Sequence, residues 1–269
     1  MKKTFKKILD LIDHSQRILI TSHRDPDGDS IGSQLVLDGF LQSFGKPIRI
    51  INQGCLPHRY VFLDSQNRIE KFNLAPKKKN FDFQPDLVFV LECPSLERLG
   101  EVKKIIPAES KIVNIDHHPD NERFGTLNYV DLKASAVGET IYSLLKDYDF
   151  PISPRMANQI YAAILTDTGR FGYSNASARC FNICAELIKL GADPKTLTSK
   201  IYFDHSLSFL KLLGNILERL EVRNGGKTCS VTIDRHLLSE LGVNHQEIEG
   251  IVGYSLFLSG VEIGLLFTE

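Results

Sequence analysis

Short apolar runs alternate with longer amphipathic stretches through the larger, N-terminal part of the chain. The runs lie at 17–22, 48–52, 86–91 and 111–115, and their length and composition are typical of buried parallel strands. Apolar residues three and four positions apart predict helices near the N-terminus and at 30–44, 136–148, 153–165 and 177–190. Strands that alternate with helices predict an α/β domain with a doubly wound, mostly parallel sheet.

The C-terminal part of the chain has a different pattern. An apolar stripe from Leu207 to Leu220 predicts a helix over 206–221, and helices are also predicted at 236–241 and 246–257. Strands are predicted at 227–233 and 261–268, and the lysine run at 77–79 is predicted to be a solvated loop. The chain is therefore divided into an α/β domain at 1–195, a helical linker at 196–222 and a smaller α/β domain at 223–269.

Acidic and histidine side chains follow the predicted strands where each strand ends. The clusters are His23 with Asp27 and Asp29, then Glu92, then Asp116-His117-His118, and finally Asp167 after the apolar run 160–165. Sites in open α/β sheets lie outside the carboxyl ends of the strands, so the clusters are expected to converge on one edge. The alternative for the first cluster is a polar turn in which Asp29 or Ser30 caps the next helix. The repetition at strand ends favours a metal site.

Charge and cysteine content limit the class of protein and its partners. The net charge of −1 argues against a broad basic surface for long nucleic acids. The five cysteines are scattered and odd in number, unlike a disulfide framework. Asp10 and Asp13 interrupt the N-terminal apolar pattern that a signal peptide needs, and no apolar run approaches membrane-spanning length. A cytoplasmic protein without a membrane partner is predicted.

The strand-end clusters offer carboxylates and imidazoles without a cysteine. This donor set suits Mn²⁺ or Mg²⁺ better than a structural zinc ion. Two ions per chain, bridged by a carboxylate, would use all of these ligands, and such pairs activate water and stabilise charge in phosphoryl transfer. Hydrolysis of a phosphoester or phosphoanhydride bond is therefore predicted. A binuclear amidase or peptidase fits the same ligands, but no other feature of the sequence favours it.

The clusters resemble the four motifs of the DHH phosphoesterase family. These motifs are His23-x-x-x-Asp27-x-Asp29, the strand-end Glu92, Asp116-His117-His118 and Thr166-Asp167-Thr168-Gly169. The resemblance covers most of residues 1–195 in order and spacing. The segments PDLVFVLECPSLERLG and AAILTDTGRFGYSNAS resemble the branch with a C-terminal DHHA1 domain, which contains oligoribonucleases and 3′-phosphoadenosine-5′-phosphate phosphatases. The resemblance implies a DHH catalytic domain followed by a DHHA1-like substrate-binding domain.

The resemblance also implies a role for each motif residue. His23 and Asp27 would bind a first metal ion, Asp29, His117 and Asp167 would bind a second, and Glu92 holds the bridging position. Asp116 would orient neighbouring ligands, and His118 would contact the scissile phosphate and assist the leaving oxygen as a general acid. For Arg170, a phosphate contact and a salt bridge to a nearby carboxylate both stay open. The family often dimerises through its first domain, so a homodimer is a further expectation.

Two features depart from the family pattern. The bridging residue is usually Asp, whereas Glu92 is longer by one methylene group. The glycine-rich, histidine-containing segment of the DHHA1 domain is absent from the 269 residues, so this domain is expected to be truncated. The expected substrates are short RNA or DNA oligonucleotides, linear dinucleotides or 3′,5′-nucleoside bisphosphate. The alternatives are an inorganic pyrophosphatase and a catalytically impaired nucleotide-binding regulatory protein.

Overall fold

The computed structural model describes residues 2–72, 83–243, 248 and 250–268. The chain forms two compact units, Met1–Ile201 and Tyr202–Glu269. The predicted loop at 77–79 and part of the predicted helix at 246–257 lie outside the described residues. No helix in the described part of the chain has both the length and the apolar character needed to cross a bilayer.

The first unit is built on a six-stranded parallel sheet with the strand order β3-β2-β1-β4-β5-β6. Its strands are β1 (Ile18–Thr21), β2 (Ile48–Asn52), β3 (Ile69–Lys71), β4 (Leu87–Leu91), β5 (Lys111–Asp116) and β6 (Leu127–Val130). Its helices are α1 (Lys2–His14), α2 (Gly28–Leu41), α3 (Val137–Asp147), α4 (Pro154–Asp167), α5 (Ala178–Lys189) and α6 (Pro194–Tyr202), the last of which ends at the unit boundary. The predicted α/β class and parallel sheet are confirmed.

The direction of the strand order changes between β1 and β4. In an open parallel sheet this switch point leaves a crevice outside the carboxyl ends of the two adjacent strands, because their following loops diverge. His23 lies two residues after the end of β1, and Glu92 follows β4 directly. Helix α2 and the 3₁₀ segment Leu96–Ile105 also follow them, so the chain leaves both strands at the crevice. The strand order therefore determines where the candidate site forms.

Helices α2 and α4 approach each other closely because α2 has glycines at positions that face α4. A Cβ atom on Gly32 would lie 2.4 Å from the backbone oxygen of Gln159, and one on Gly28 would lie 2.5 Å from the side chain of Thr166. The second contact joins the beginning of α2 to the end of α4. This approach brings Asp167, the last residue of α4, to the crevice.

Replacing Gly32 by alanine is expected to destabilise the chain by about 1–3 kcal/mol, because the backbone of α4 must move to admit the methyl group. Gly39→Ala is a matched control in the same helix, since its Cβ would lie 3.7 Å from Met156, an ordinary contact. The control is expected to leave the free energy of unfolding unchanged or to raise it by up to about 1 kcal/mol, because alanine has a higher helix propensity than glycine. Urea unfolding of the two variants measures the difference, and equal stabilities would contradict the close approach.

The second unit packs helices on a three-stranded sheet in the order β7-β8-β9. Strands β7 and β8 are antiparallel, and β8 and β9 are parallel. The elements are α7 (Leu207–Glu218), β7 (Glu221–Arg223), β8 (Thr228–Ile233), α8 (Arg235–Leu241), α9 (Val252–Ser255) and β9 (Ile263–Thr268). Buried side chains of α7, including Phe209 and Leu212, share a core with Val231 and Ile233 of β8. The domain division at 195 and 222 stays a prediction.

Several sequence predictions need correction. Strands β3, β6 and β7 were not predicted, because they are three or four residues long and have no fully buried run. The helix predicted at 246–257 is reduced, within its described residues, to the four residues of α9 and isolated turns. Helix α2 begins at Gly28, earlier than predicted, with Asp27 as its N-cap instead of Asp29 or Ser30.

Candidate metal centre

The first group of candidate ligands combines the ends of β1 and β4. His23 Nε2 lies 2.5 Å from Glu92 Oε2, and the hydroxyl of Ser30 lies 2.8 Å from both atoms. Asp27 accepts a hydrogen bond from the backbone N–H of Ser30 at 2.9 Å, which places its carboxylate at the start of α2. The group of His23, Asp27 and Glu92 offers three ligand atoms within 4.8 Å of one another.

Glu92 occupies a left-handed turn immediately after β4. Its φ is +51°, a conformation that costs a residue other than glycine of order 1–3 kcal/mol unless surrounding contacts hold it. Its N–H donates to the carbonyl of Ile115 at 3.0 Å, and the residue is 4% exposed. One carboxylate oxygen contacts His23, and the other lies 3.4 Å from His118 Nε2. Glu92 thus reaches both sides of the crevice.

The second group combines α2, the end of β5 and the end of α4. Asp29 is fully buried and accepts hydrogen bonds from the N–H groups of Val137 at 2.6 Å and Gly138 at 3.0 Å, at the N-terminus of α3. His117 Nε2 lies 3.6 Å from Asp167 Oδ2 and is buried, yet it has no hydrogen-bond partner within the described part of the chain. Asp29, His117 and Asp167 offer ligand atoms within 4.8 Å of one another.

Asp116 and His118 form a hydrogen-bonded pair beside these groups. His118 Nδ1 lies 2.8 Å from Asp116 Oδ1, and this contact raises the pKa of His118 to about 9, against the opposing effect of burial. Burial would raise the pKa of Asp116, but hydrogen bonds from His118 and from Asn121, the latter 2.5 Å long, lower it overall. At neutral pH, His118 is therefore a cation and Asp116 an anion.

The carboxylates of the centre raise one another's pKa. Burial, then the charge of Asp167, raises the pKa of Asp29 to about 7. Burial raises the pKa of Asp167 to about 6, and burial followed by Asp27 and Asp29 raises that of Glu92 well above its ordinary value. Such crowding is unfavourable without a balancing cation. The oxygen and imidazole donors fit divalent metal ions, as does the buried His117 Nε2, which has no hydrogen-bond partner among the described residues.

Added Mn²⁺ is expected to raise the melting temperature more at pH 8 than at pH 6. The pKa of Asp29 is raised from 3.8 to about 7, so the folded metal-free chain loses stability as pH rises between those values. A metal ion binds the deprotonated carboxylates and competes with protons, so its stabilising effect grows with pH. Thermal unfolding with and without Mn²⁺ at both pH values measures this. An equal or smaller shift at pH 8 would contradict it.

Two charged residues in or beside the motifs, Asp25 and Arg170, lie at the surface. The Asp25 side chain is 86% exposed and pairs with Arg24 at 3.3 Å, which separates it from the buried ligand groups. Arg170 is exposed and follows Gly169 in a run of left-handed residues that ends at Phe171. Its N–H donates to the carbonyl of Leu165 at 2.9 Å, which closes the C-terminus of α4. A phosphate contact of Arg170 stays a prediction.

Sequence reasoning missed the residues that hold the ligands in place. Asn175 donates to the carbonyls of Asp167 at 3.0 Å and Ser135 at 3.1 Å. The buried carboxylate of Glu139 lies 3.1 Å from Arg179, which also binds Asp131 at 2.7 Å. These bonds fix the segment between β6 and α3, whose Ala134 carbonyl contacts His117 at 3.2 Å. No spacing in the sequence signals these contacts, because their partners are remote along the chain.

The fold and the site together define an α/β protein with two adjoining carboxylate–histidine groups at the switch point of a parallel sheet. A family model described as "DHH family, N-terminal domain" matches residues 17–165, and the chain belongs to this family. The chain is a phosphoesterase of the DHH family.

Individual relatives agree with this assignment. The chain is 29% identical over 255 residues to the bifunctional oligoribonuclease and PAP phosphatase NrnA of Bacillus subtilis, covering 94% of this chain and 77% of the relative. It is 27% identical over 157 residues to a probable manganese-dependent inorganic pyrophosphatase of Staphylococcus epidermidis, covering 56% of this chain and 48% of the relative. The crystal structure of an exopolyphosphatase-related protein from Bacteroides fragilis matches with a TM-score of 0.87 at 25% identity, covering 97% of this chain and 78% of that one.

Proposed function

We propose that the chain is a phosphoesterase that uses two divalent ions, Mn²⁺ or Mg²⁺, to hydrolyse short oligonucleotides, linear dinucleotides or 3′,5′-nucleoside bisphosphate. The observation that carries this proposal is the pair of ligand groups on either side of Glu92. His23 and Asp27 would hold one ion, and Asp29, His117 and Asp167 would hold the other. Two ions held there would lower the pKa of a water molecule and neutralise charge on the phosphoryl group.

The chain's own residues would bind the substrate and handle its proton. His118 is protonated at neutral pH because Asp116 accepts a hydrogen bond from its Nδ1. Its Nε2–H would donate to the phosphate and then to the leaving oxygen as the ester bond breaks. Asp116 is itself held by Asn121, so the imidazole keeps one orientation. Asp116 is therefore a positioning residue for His118.

The choice among substrates is supported by the relatives. The name of the Bacillus subtilis relative combines an oligoribonuclease and a nucleotide phosphatase, and the similarity spans 94% of this chain. The similarity to the inorganic pyrophosphatase spans 56% of this chain, so that activity is the weaker enzyme candidate. A near-neutral charge also suits substrates with few phosphates, since electrostatic affinity grows with the number of phosphates contacted.

One panel tests the proposal. The purified chain with Mn²⁺ is assayed on a linear diadenylate, a short RNA, adenosine 3′,5′-bisphosphate and pyrophosphate. Turnover of the nucleotide substrates above that of pyrophosphate is expected. Turnover of pyrophosphate alone would assign the alternative enzyme. Nucleotide binding without any turnover would instead identify a binding protein, a candidate that the unusual bridging Glu92 supports.

A further inference from the structure

Two buried serines contact the end of β4 and Glu92. Ser22 follows β1 directly, Ser30 lies in the first turn of α2, and both are fully buried. Their hydroxyl oxygens lie 2.9 Å apart. Ser22 donates to the carbonyl of Leu91 at 2.8 Å, and Ser30 donates to Oε2 of Glu92 at 2.8 Å. The pair therefore holds both the backbone that precedes Glu92 and the carboxylate of Glu92.

The hydroxyl of Ser30 has a fixed position and one hydrogen to donate. The backbone N–H of Ser30 donates to Asp27, the N-cap of α2, at 2.9 Å, which holds the residue in place. An ionised carboxylate only accepts hydrogen bonds, so the hydroxyl hydrogen is given to Glu92. His23 Nε2 lies 2.8 Å from the same hydroxyl oxygen, but this nitrogen is a candidate metal ligand. The hydrogen bond that is compatible with a bound ion is therefore the one to Glu92.

The contact between Ser30 and Glu92 depends on the length of the glutamate side chain. Glu92 begins from a left-handed backbone, with φ at +51°, and its carboxylate reaches α2 from the end of β4. A side chain shorter by one methylene group would withdraw the carboxylate by one C–C bond, about 1.5 Å. A contact of 2.8 Å would then be lengthened beyond hydrogen-bond distance. Ser30 is thus matched to a glutamate at position 92.

We propose that Ser30 is a positioning residue that fixes the carboxylate of Glu92 between the two groups of candidate ligands, and that this contact requires the length of a glutamate side chain. The inference rests on the proposed function, in which two ions lie on either side of Glu92. Hydrogen bonds to a ligating carboxylate orient it, and their loss weakens metal binding although every ligand is still present. Ser30 therefore acts on the ions through Glu92 and not as a ligand.

The test is a double-mutant cycle on Mn²⁺ binding, with Ser30→Ala introduced into the wild-type chain and into the Glu92→Asp chain. Calorimetric titration of the metal-free wild-type chain and Ser30→Ala is expected to show a loss of Mn²⁺ affinity of about 10–100-fold. In the Glu92→Asp chain the same substitution should change the affinity by less than about threefold, because the contact is already absent. The Mn²⁺ concentration for half-maximal turnover should follow the affinity, while turnover at saturating Mn²⁺ is kept.

Ser33→Ala is the matched control. Ser33 lies three residues after Ser30 in α2, is also fully buried, and its hydroxyl donates to Asp29 Oδ1 at 2.8 Å. Its effect on Mn²⁺ affinity should be the same with Glu92 and with Glu92→Asp, because its contact does not involve residue 92. Equal effects of Ser30→Ala in the two chains would show that Ser30 only supports the helix, and would overturn the proposal. An unchanged affinity after Ser30→Ala would also overturn it.

The two proposals fail in different ways. A wild-type chain that binds no Mn²⁺ contradicts the proposed function. Thermal unfolding of the four metal-free chains of the cycle then tests the contact, because the hydrogen bond between Ser30 and Glu92 does not need an ion. Ser30→Ala is expected to lower the melting temperature by about 2–4 °C in the wild-type chain. The decrease should be less than half as large in the Glu92→Asp chain, and equal decreases would contradict the contact.

Discussion

Asp29→Ala is expected to lower Mn²⁺-dependent phosphoester turnover by at least about 10³-fold, on the order of 4 kcal/mol of transition-state stabilisation. Asp29 is fully buried, belongs to the second ligand group and accepts hydrogen bonds from two N–H groups at the start of α3. The substitution removes a proposed metal ligand and leaves both donors without their acceptor. Metal binding measured by calorimetry should fall from two ions per chain to one, in parallel with the lost activity.

Asp25→Ala is the matched control for this prediction. Asp25 lies four residues earlier in the same acidic turn, but its side chain is 86% exposed and outside both ligand groups. The control should keep its turnover and its metal stoichiometry. A fully active Asp29→Ala chain would rule out the two-ion centre, and an equally inactive Asp25→Ala chain would show that the general acidity of the turn matters instead.

His118→Gln is expected to lower kcat by about 10²–10⁴-fold, the range typical of a lost general acid, while the metal-dependent rise in melting temperature is kept. The imidazole is protonated at neutral pH through its 2.8 Å contact with Asp116, and glutamine can donate a hydrogen bond but no proton. The defect should shrink on an aryl phosphodiester, because a phenolate leaves without protonation. A defect of equal size on both kinds of ester would contradict the acid role.

His118 also lies near Glu92 and His117, in a third set of potential ligand atoms. Loss of one metal ion from His118→Gln would therefore identify the residue as a ligand instead of an acid. His14→Gln is the control for the substitution itself, since His14 is exposed at the end of α1. It should change neither turnover nor metal binding.

The apolar pattern predicted the four central strands closely because burial on both faces demands continuous apolar sequence. Strand β4, for example, is buried at all five positions. The apolar pattern did not predict β6, where each residue is only partly buried, and it predicted a longer helix than the four residues of α9. Short, half-exposed elements are stabilised by the neighbours they pair with, and a local pattern does not contain those neighbours.

The motif residues of the candidate site were predicted from the sequence, because charged side chains directly after apolar runs are conspicuous. The structure brings them together in groups, and their roles as ligands stay a prediction. Asp167 was predicted to lie at the same edge of the sheet. In the structure it is the last residue of helix α4 and does not follow a strand. Its position depends on the approach of α4 to α2 across Gly28 and Gly32. Asn175 and Arg179, which hold the ligand-bearing segments, could not be recognised, because their partners are fixed only by tertiary contacts.

The sequence by itself determined the α/β class, the parallel strands and the set of acidic and histidine residues at their ends. The tertiary structure decided how these residues are grouped, with Glu92 between two sets of candidate ligands. The physical reason is that hydrophobic periodicity is a local property of the chain. Tertiary contacts between distant segments are needed to set the order of the strands and the separation of two helices. The same contacts bring the buried carboxylates close enough to raise one another's pKa.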